Sequence, residues 1–486
     1  MKLNKTWNTE DFRRHGDEVL ELLTDFVDRG RRGERPVVRV GEVDDLARAM
    51  DLDRVLAGHT VDDENGFRLL VETFLEGATS LQHPGYIAHQ VSVPHYASAL
   101  ADLISGLISN GMSVYEMGPT AGTMEIAVID WMLGRIGWEP TGRNRDHAPA
   151  VEGMAGGGVL THGGSLANLT AMLAARAAIA PRAWTDGTPK DLVVVAPESA
   201  HYSLSRAVAT MGLGTNALVA PPTDELGRVV PGELPACLER IAGKGRTVMA
   251  VVANACATAT GIYDPVRAIG EFCRESSLWF HVDGAHGASA LLHPDESVKM
   301  DGVELADSMV WDAHKLLQTS VLCAAALFRD GRHLTNAFQQ DAVYVTEGER
   351  EIGHDFIPHQ FECTKAPLGL KLMLVLALVG ERGLAENVGV LCENTRLFHA
   401  LIDSRDGFET LCAPESNILC FRVEGDDSLQ TGIRKTIMHG GDFLLSQADV
   451  GGRRWLRMAV MNPLTDEATI GRLLDRIDEI VGEEGG

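Results

Sequence analysis

Short apolar runs alternate with segments of helical periodicity from Gly156 onward, and this alternation constrains the fold more than any other feature. The apolar runs cover residues 191–198, 247–255, 277–285, 307–313 and 320–328. Apolar strands separated by amphipathic helices are typical of an α/β fold with a mainly parallel sheet and helices on both faces. In such sheets the ligand binds at the carboxyl ends of the strands. Polar residues directly after these runs are therefore the candidates for a functional site.

The chain on either side of this region predicts two smaller units. In the first 82 residues, apolar residues recur with helical spacing, and Thr9 is the predicted N-cap of the first helix. This segment lacks a compact core of its own. Near the other end, "NILCFRVEG" and "RRWLRMAVMNP" are strand-like and have helical segments around them. We expect an N-terminal helical segment at 1–82, a large domain at 83–375 and a small α+β domain at 376–486.

Composition excludes several classes of function. The 486 residues include 45% hydrophobic and 23% charged residues, as in an ordinary soluble protein of more than one domain. No stretch reaches the ~20 apolar residues of a membrane span, and the charged N-terminus lacks a signal-peptide core, so we expect a cytoplasmic protein. A net charge of −25 argues against nucleic acid or an anionic membrane as partner. The eight scattered cysteines and 17 histidines contain no metal-binding motif.

Two glycines and a serine follow a short apolar run and open a periodic helix. Gly163, Gly164 and Ser165 stand directly before the helical pattern of residues 166–178. Paired glycines let the backbone approach a ligand closely, and free N–H groups at a helix start favour an anion. A helix cap after a tight turn is the alternative interpretation.

Polar residues also follow two of the later runs. His201 comes just after the run at 191–198, where a purely structural histidine is the alternative. Asp283 lies within the run at 277–285, at the end of its apolar part, and a carboxylate there must be paired or hydrogen-bonded. The small residues that follow it leave room for a large flat group.

Lys315, in "VWDAHKLLQTS", falls at the end of the next strand-like run. A lysine at the end of an interior strand can lose its charge by desolvation and become the nucleophilic amine that a Schiff base needs. A surface lysine in a loop is the alternative, which the similar positions of Ser165, His201 and Asp283 weaken. Together these residues meet the requirements of pyridoxal 5'-phosphate (PLP), with its phosphate at the helix start, its ring nitrogen on Asp283 and its aldehyde on Lys315.

Ten motifs in order extend this hypothesis over nearly the whole chain. They are "TEDFRR", "HPGYIAHQVSVP", "YEMGPTAGTMEIAVIDWM", "THGGSLANLTAM", "AHYSLSRA", "ATATGIYDPV", "HVDGAHGAS", "WDAHK", "KAPLGLKLML" and "LRMAVMNPLT". With them the chain resembles the group II PLP-dependent amino-acid decarboxylases, the relatives of glutamate, aromatic-L-amino-acid and diaminobutyrate decarboxylases. The resemblance implies the aspartate-aminotransferase-like fold of fold-type I enzymes. It also implies a homodimer with the N-terminal segment on the partner subunit and active sites at the interface.

The resemblance assigns a role to each cofactor residue. Lys315 would bind the aldehyde, Asp283 would keep the pyridine nitrogen protonated, and His201 and Ala285 would pack on the two ring faces. The remaining implied contacts are Gly164, Ser165, Asp312 and His314 at the phosphate and Thr258 beside the cofactor.

Substrate contacts follow from the same resemblance. Arg457 matches the arginine that holds the substrate carboxylate, and His89 and Gln90 match the segment that lines the substrate pocket. Tyr344, in the long loop 338–355, matches a tyrosine that returns a proton to Cα from across the dimer interface. An ordinary surface tyrosine is the alternative.

The implied reaction is α-decarboxylation of an L-amino acid to an amine and carbon dioxide. The alternative within this fold is decarboxylation coupled to oxidative deamination, which gives an aldehyde; the presence of Tyr344 and His201 favours simple decarboxylation. Group II motifs disfavour an aminotransferase. Intact Lys315, Asp283 and His201 argue against a catalytically silent protein of the same fold.

The chain departs from the family pattern at three places. Cys256-Ala257 replaces Gly-Thr, Thr364-Lys365 replaces Gly-Arg, and Asp312 replaces an asparagine. The last departure affects the predicted phosphate contact directly, because a carboxylate repels phosphate.

Overall fold

The computed structural model describes residues 8–59, 66–140, 155–338 and 354–484. The α-helices of these residues, numbered α1 to α16 in chain order, are Thr9–Arg31, Val43–Ala49, Leu52–Leu56, Gly66–Gly77, Tyr96–Ile108, Pro119–Ile136, Gly164–Ile179, Ala183–Asp186, Tyr202–Thr210, Leu234–Ala242, Val266–Glu275, Ala313–Leu316, Arg332–Ala337, Leu368–Asp403, Asp427–Gly440 and Glu467–Glu484. Strands β1 to β11 are Gly157–Thr161, Leu192–Val195, Leu218–Val219, Thr247–Asn254, Phe280–Asp283, Ser308–Asp312, Ala324–Phe328, Phe408–Thr410, Ile418–Val423, Ser446–Val450 and Arg453–Ala459. Short 3-10 helices cover Tyr115–Met117, Thr215–Ala217, Pro231–Glu233, Gly287–Leu292, Ser297–Met300, Val303–Leu305 and Ile357–His359.

Seven strands form the large sheet in the order β1-β7-β6-β5-β4-β2-β3. Strands β6, β5, β4, β2 and β3 are parallel, which confirms the predicted mainly parallel sheet. Strand β7 runs antiparallel to both β6 and β1, so β1 points in the same direction as the parallel strands. Most of these strands are buried along their whole length, as expected for a sheet covered on both faces.

The register of the large sheet brings the polar strand ends together. Asn254 pairs with Asp283 between β4 and β5, and Asp312 and Thr161 both pair with Ala324 of β7. The carboxyl ends of β1, β4, β5 and β6 therefore meet at one edge of the sheet, where the strand-end rule expects a ligand.

The N-terminal helices differ from the prediction at the first cap. Asn8, rather than Thr9, is the N-cap of α1, and its side chain accepts a hydrogen bond of 3.0 Å from the N–H of Glu10. Asn8 has the extended backbone that lets a side chain reach back to the helix start, whereas Thr9 is already helical. Further along, Val37 and Tyr86 form a small buried cluster with Leu444, so this segment shares a core with the C-terminal part.

The C-terminal part contains a second, antiparallel sheet in the order β10-β11-β9-β8. Helix α14 connects it to the large sheet and breaks at Gly380, whose φ of 71° is left-handed. The proposed boundary between residues 375 and 376 falls inside this helix, ahead of the break. Among the described helices, none has an apolar stretch long enough to cross a membrane.

Candidate active site

A cavity of about 280 Å³ opens at the carboxyl edge of β1, β4, β5 and β6. Its lining contains every residue that the sequence suggested for cofactor binding, namely Gly164, Ser165, His201, Thr258, Asp283, Ala285, Asp312, His314 and Lys315. The further lining residues are His162, Gly163, Asn168, Cys256, His286 and Leu322. The fold thus brings together residues that lie as far as 160 positions apart in the chain, from His162 to Leu322.

Lys315 lies in the short helix α12, directly after β6. Its Nζ is 3.1 Å from Oδ2 of Asp312, and both side chains are largely buried. The stretch before α5 holds the backbone on either side of this lysine, because the Ser92 hydroxyl donates to His314 O (3.2 Å) and the His95 N–H donates to Gln318 O (2.9 Å). Lys315 is therefore an amine fixed in the cavity wall beside one carboxylate.

Asp283 is the last residue of β5, and both oxygens of its buried carboxylate accept hydrogen bonds. Asn168 Nδ2 of α7 donates to Oδ2 (3.0 Å), and the Ala285 N–H donates to Oδ1 (3.3 Å). The cavity thus contains an oriented anion that suits a protonated ring nitrogen.

Asn168 and His281 support Asp283, and the sequence analysis missed both. Asn168 Nδ2 also donates to the Ser203 hydroxyl (2.9 Å), so its Oδ1 must accept from His281 Nε2 at 2.9 Å. His281 Nδ1 then accepts from Ser308 Oγ (2.8 Å), and burial lowers the pKa of His281, which keeps the ring neutral. One signal was available: Asn168 lies one helical turn after Gly164, and His281 shares its strand face with Asp283.

His201 is the N-cap of α9 and is oriented by that role. Its Nδ1 accepts from the Ser203 N–H at 3.2 Å, so a neutral His201 carries its proton on Nε2. Burial lowers the pKa of His201, against the opposing charge of Asp283. A neutral imidazole with a fixed tautomer suits stacking on a cationic ring.

The predicted phosphate cradle, Gly163, Gly164 and Ser165 at the start of α7, lies against the carboxylate of Asp312. A Cβ on Gly164 would lie 2.7 and 2.8 Å from the two carboxylate oxygens of Asp312, so any larger residue there would require the Asp312 side chain to move. Asp312 is buried, and its Oδ1 has no hydrogen-bond partner among the described residues. The carboxylate therefore lies directly against the helix start that should receive phosphate.

The predicted substrate residues are not in the cavity lining. The Arg457 guanidinium donates to Thr258 O from Nε (3.1 Å) and Nη2 (2.8 Å), and to Ala88 O (2.9 Å) and Ser446 Oγ (3.0 Å) from Nη1. It is thus held behind Thr258, which does line the cavity. The roles of Arg457, and of His89 and Gln90 directly after Ala88, remain predictions. Tyr344 lies outside the described residues.

Two of the departures from the family pattern have clear positions. Lys365 Nζ lies 2.5 Å from Glu125 Oε1 and 2.6 Å from Leu160 O, in a pair that is almost completely buried. The pair supports β1 beneath the cradle rather than contacting the cavity. Cys256 does line the cavity, and burial raises its pKa to about 11, so it remains a thiol.

Comparisons with known proteins identify the family of this chain. The family described as "Pyridoxal-dependent decarboxylase conserved domain" matches residues 69–424. Mouse cysteine sulfinic acid decarboxylase is 27% identical over 95% of this chain and 94% of its own length. L-2,4-diaminobutyrate decarboxylase of Acinetobacter baumannii is 25% identical over 90% of this chain and 87% of its own.

Solved structures match over almost the entire chain. The crystal structure of mouse CSAD superposes with a TM-score of 0.87 at 25% identity and covers 97% of this chain and 98% of that one. The structure of Oryza sativa TDC with PLP and tryptamine superposes with a TM-score of 0.86 at 23% identity and covers 98% and 99%. These matches confirm the fold-type I architecture that the sequence resemblance implied.

The residues around the cavity fit PLP at its aldehyde, through Lys315, and at its ring nitrogen, through Asp283. Gly164 and Ser165 offer a helix start to its phosphate, although Asp312 adds a negative charge there. The chain therefore belongs to the pyridoxal-dependent decarboxylase family and is a PLP-dependent amino-acid decarboxylase.

Proposed function

We propose that the protein removes the α-carboxylate of an L-amino acid as carbon dioxide and releases the corresponding amine. The observation that supports this most directly is that one cavity is lined by the amine of Lys315 and the doubly hydrogen-bonded carboxylate of Asp283. When bound, PLP supplies an electron sink for the electron pair that carbon dioxide leaves behind.

The residues of this chain prepare that reaction in three ways. Asp283 keeps a proton on the cofactor ring nitrogen, because Asn168 and the Ala285 N–H hold its carboxylate in place as an anion. His201 would pack on the ring of the bound cofactor, and burial lowers the pKa of its imidazole. Arg457 orients the substrate carboxylate; one N–H of its Nη2 donates to Thr258 O, which leaves the second N–H of Nη2 for the carboxylate.

A screen of L-amino acids for carbon dioxide release, with the mass of each product measured, tests this function. We expect at least one amino acid to give equimolar carbon dioxide and amine. Stoichiometric keto acid without carbon dioxide would instead identify an aminotransferase. Aldehyde with consumption of oxygen and release of peroxide would identify the oxidative reaction.

Tyr344 is proposed to return the proton to Cα after carbon dioxide leaves. We expect Tyr344→Phe to lower the amine yield and to divert product towards the aldehyde, since an unprotonated carbon centre is open to attack by oxygen. Amine, aldehyde and peroxide are quantified together. An unchanged amine yield in Tyr344→Phe would remove Tyr344 from the reaction.

Asp312 is proposed to weaken phosphate binding, because its carboxylate lies against the helix start. We expect Asp312→Asn to tighten PLP binding about tenfold, since an amide donates a hydrogen bond to phosphate where a carboxylate repels it. Titration of the apoprotein with PLP gives the dissociation constant. A larger dissociation constant for PLP in Asp312→Asn would contradict this. It would mean that losing the ion pair between Asp312 and Lys315 weakens PLP binding more than removing the repulsion between Asp312 and the phosphate strengthens it.

We also propose that the protein is a homodimer. Helix α5 buries one face, while Tyr96, Leu100, Leu103, Ile104, Leu107 and Ile108 form a continuous apolar stripe that is 42–65% exposed. A stripe of this kind on a protein surface marks an interaction site, and a second copy would cover it. Light scattering should give twice the 52.4 kDa chain mass, and a monomer at micromolar concentration would contradict the proposal.

A further inference from the structure

His162 is the residue between β1 and the phosphate cradle, and it lines the cavity together with the cradle. It stands at the carboxyl end of β1, so the rule that points to Asp283 and Lys315 applies to it as well. The His162 side chain is 34% exposed, and the ring is therefore accessible to a ligand from solvent.

A carboxylate holds the His162 ring by one of its two nitrogens. Nδ1 lies 2.6 Å from Oε1 of Glu362, whose side chain is 23% exposed. Because an ionised carboxylate only accepts hydrogen bonds, Nδ1 carries a proton in this contact. Nε2 has no hydrogen-bond partner among the described residues, and it is not enclosed by protein atoms. A second proton, on Nε2, would make this nitrogen a donor to an anion.

The cavity offers little positive charge to the phosphate of PLP. Lys315 is the only lysine or arginine among the described lining residues, and the PLP aldehyde uses its amine. The carboxylate of Asp312 then still lies against the helix start, where it repels the phosphate. A cation beside the cradle would offset this repulsion.

The other lining residues that can carry a positive charge are His162, His201, His286 and His314. Burial lowers the pKa of His201, and it lowers the pKa of His286 to about 3, so both rings favour the neutral form. His314 is directed to other groups, since its Nδ1 lies 2.8 Å from Cys323 O and its Nε2 lies 3.7 Å from Asp312 Oδ2. His162 differs from these three because it combines a carboxylate on one nitrogen with an accessible second nitrogen.

We propose that His162, positioned by Glu362, binds the phosphate of PLP as a cationic contact beside the helix start. Nε2 donates to a phosphate oxygen while Nδ1 donates to Glu362, and the charge of the imidazolium offsets the carboxylate of Asp312. His162 is then a cofactor-binding residue and Glu362 a positioning residue. This inference rests on the dependence on PLP and not on the proposed reaction or its substrate.

Three variants of this pair and one matched control test the contact. His162→Ala removes both the donor and the charge, whereas His162→Gln keeps a neutral N–H donor. Glu362→Gln keeps an acceptor for Nδ1 and removes the carboxylate charge. The control is His15→Ala, which breaks a similar pair outside the cavity lining: His15 Nδ1 lies 3.3 Å from Glu18 Oε2, and the two side chains are 32% and 23% exposed.

Each apoprotein is titrated by calorimetry with three probes: PLP, pyridoxal, which lacks the phosphate, and pyridoxine 5'-phosphate, which lacks the aldehyde. We expect His162→Ala to weaken PLP and pyridoxine 5'-phosphate about tenfold to a hundredfold, the range of a charge-assisted hydrogen bond, and to leave pyridoxal unchanged. His162→Gln and Glu362→Gln should bind the two phosphates with affinities between those of the wild type and His162→Ala. His15→Ala should bind all three probes as the wild type does.

Equal losses for PLP and pyridoxal in His162→Ala would contradict a contact with the phosphate, as would an unchanged affinity for pyridoxine 5'-phosphate. Wild-type affinity for both phosphates in Glu362→Gln would contradict the positioning role of Glu362. If circular dichroism shows that His162→Ala does not fold, His162→Gln decides the question with the same three probes. These titrations need no turnover, so their outcome is independent of whether the proposed decarboxylation is observed.

Discussion

Lys315→Ala is expected to abolish covalent attachment of PLP and to lower kcat by roughly 10³ or more, the scale on which removal of a covalent nucleophile acts. No other lysine occurs among the described residues of the cavity lining, so none of these residues can replace its amine. Borohydride reduction followed by peptide mass spectrometry locates the attachment, and carbon dioxide release gives the turnover. The control is Lys244→Ala, at an exposed lysine after α10.

The same substitution removes the cation beside Asp312, whose carboxylate is buried 3.1 Å from Nζ of Lys315. An unpaired buried carboxylate at the phosphate cradle should weaken even non-covalent PLP binding. We therefore expect Lys315→Ala combined with Asp312→Asn to bind PLP more tightly than Lys315→Ala alone while remaining inactive. Full turnover in Lys315→Ala would reject the assignment of this lysine.

Lys365→Met is expected to lower the free energy of unfolding by about 3–5 kcal/mol, the usual effect of removing one partner from a buried ion pair. The Lys365 and Glu125 side chains are 0% and 1% exposed, so water cannot replace the lost ammonium. Glu125 Oε1 also accepts from the Leu160 N–H at 3.0 Å, which couples the pair to β1 beneath the cradle. Urea denaturation measures the stability, and a PLP titration shows whether the cradle is affected.

A second variant distinguishes the unpaired charge from lost packing. Adding Glu125→Gln to Lys365→Met keeps an acceptor for the Leu160 N–H and removes the charge, so it should recover much of the stability. Arg382→Met breaks an ion pair that is exposed on both sides and should behave as the wild type. If Lys365→Met unfolds like the wild type, the buried pair does not stabilise the protein.

Much of the fold was predictable, because strands and helices leave periodic patterns in a sequence. The parallel strands β2, β4, β5 and β6 lie within their predicted runs. The direction of β7 was not predictable, since its residues are buried on both faces and an apolar run is the same read in either direction. The N-cap was misassigned by one residue because Asn8 and Thr9 are both favourable caps, and backbone conformation decides between them.

The residues of the candidate site also fall into two groups, those that the sequence could predict and those that it could not. It could be predicted that Lys315, Asp283, His201 and Ser165 lie together, because each stands at the end of an apolar run and parallel strands end at a common edge. Asn168 and His281 could not be assigned roles in this way, because their roles depend on partners that are distant in the chain, such as Asp283 for Asn168.

By itself, the sequence determined the class of fold and the cofactor and predicted Lys315 as the reactive lysine, because these inferences depend on local periodicity and on residues at strand ends. Only the tertiary structure decided the electrostatic state of the site. Whether a carboxylate is paired, as for Asp283, or left with a free oxygen, as for Asp312, depends on neighbours that folding brings within about 3 Å. The carboxylate that holds His162 likewise comes from Glu362, 200 positions along the chain, and no local pattern records this contact.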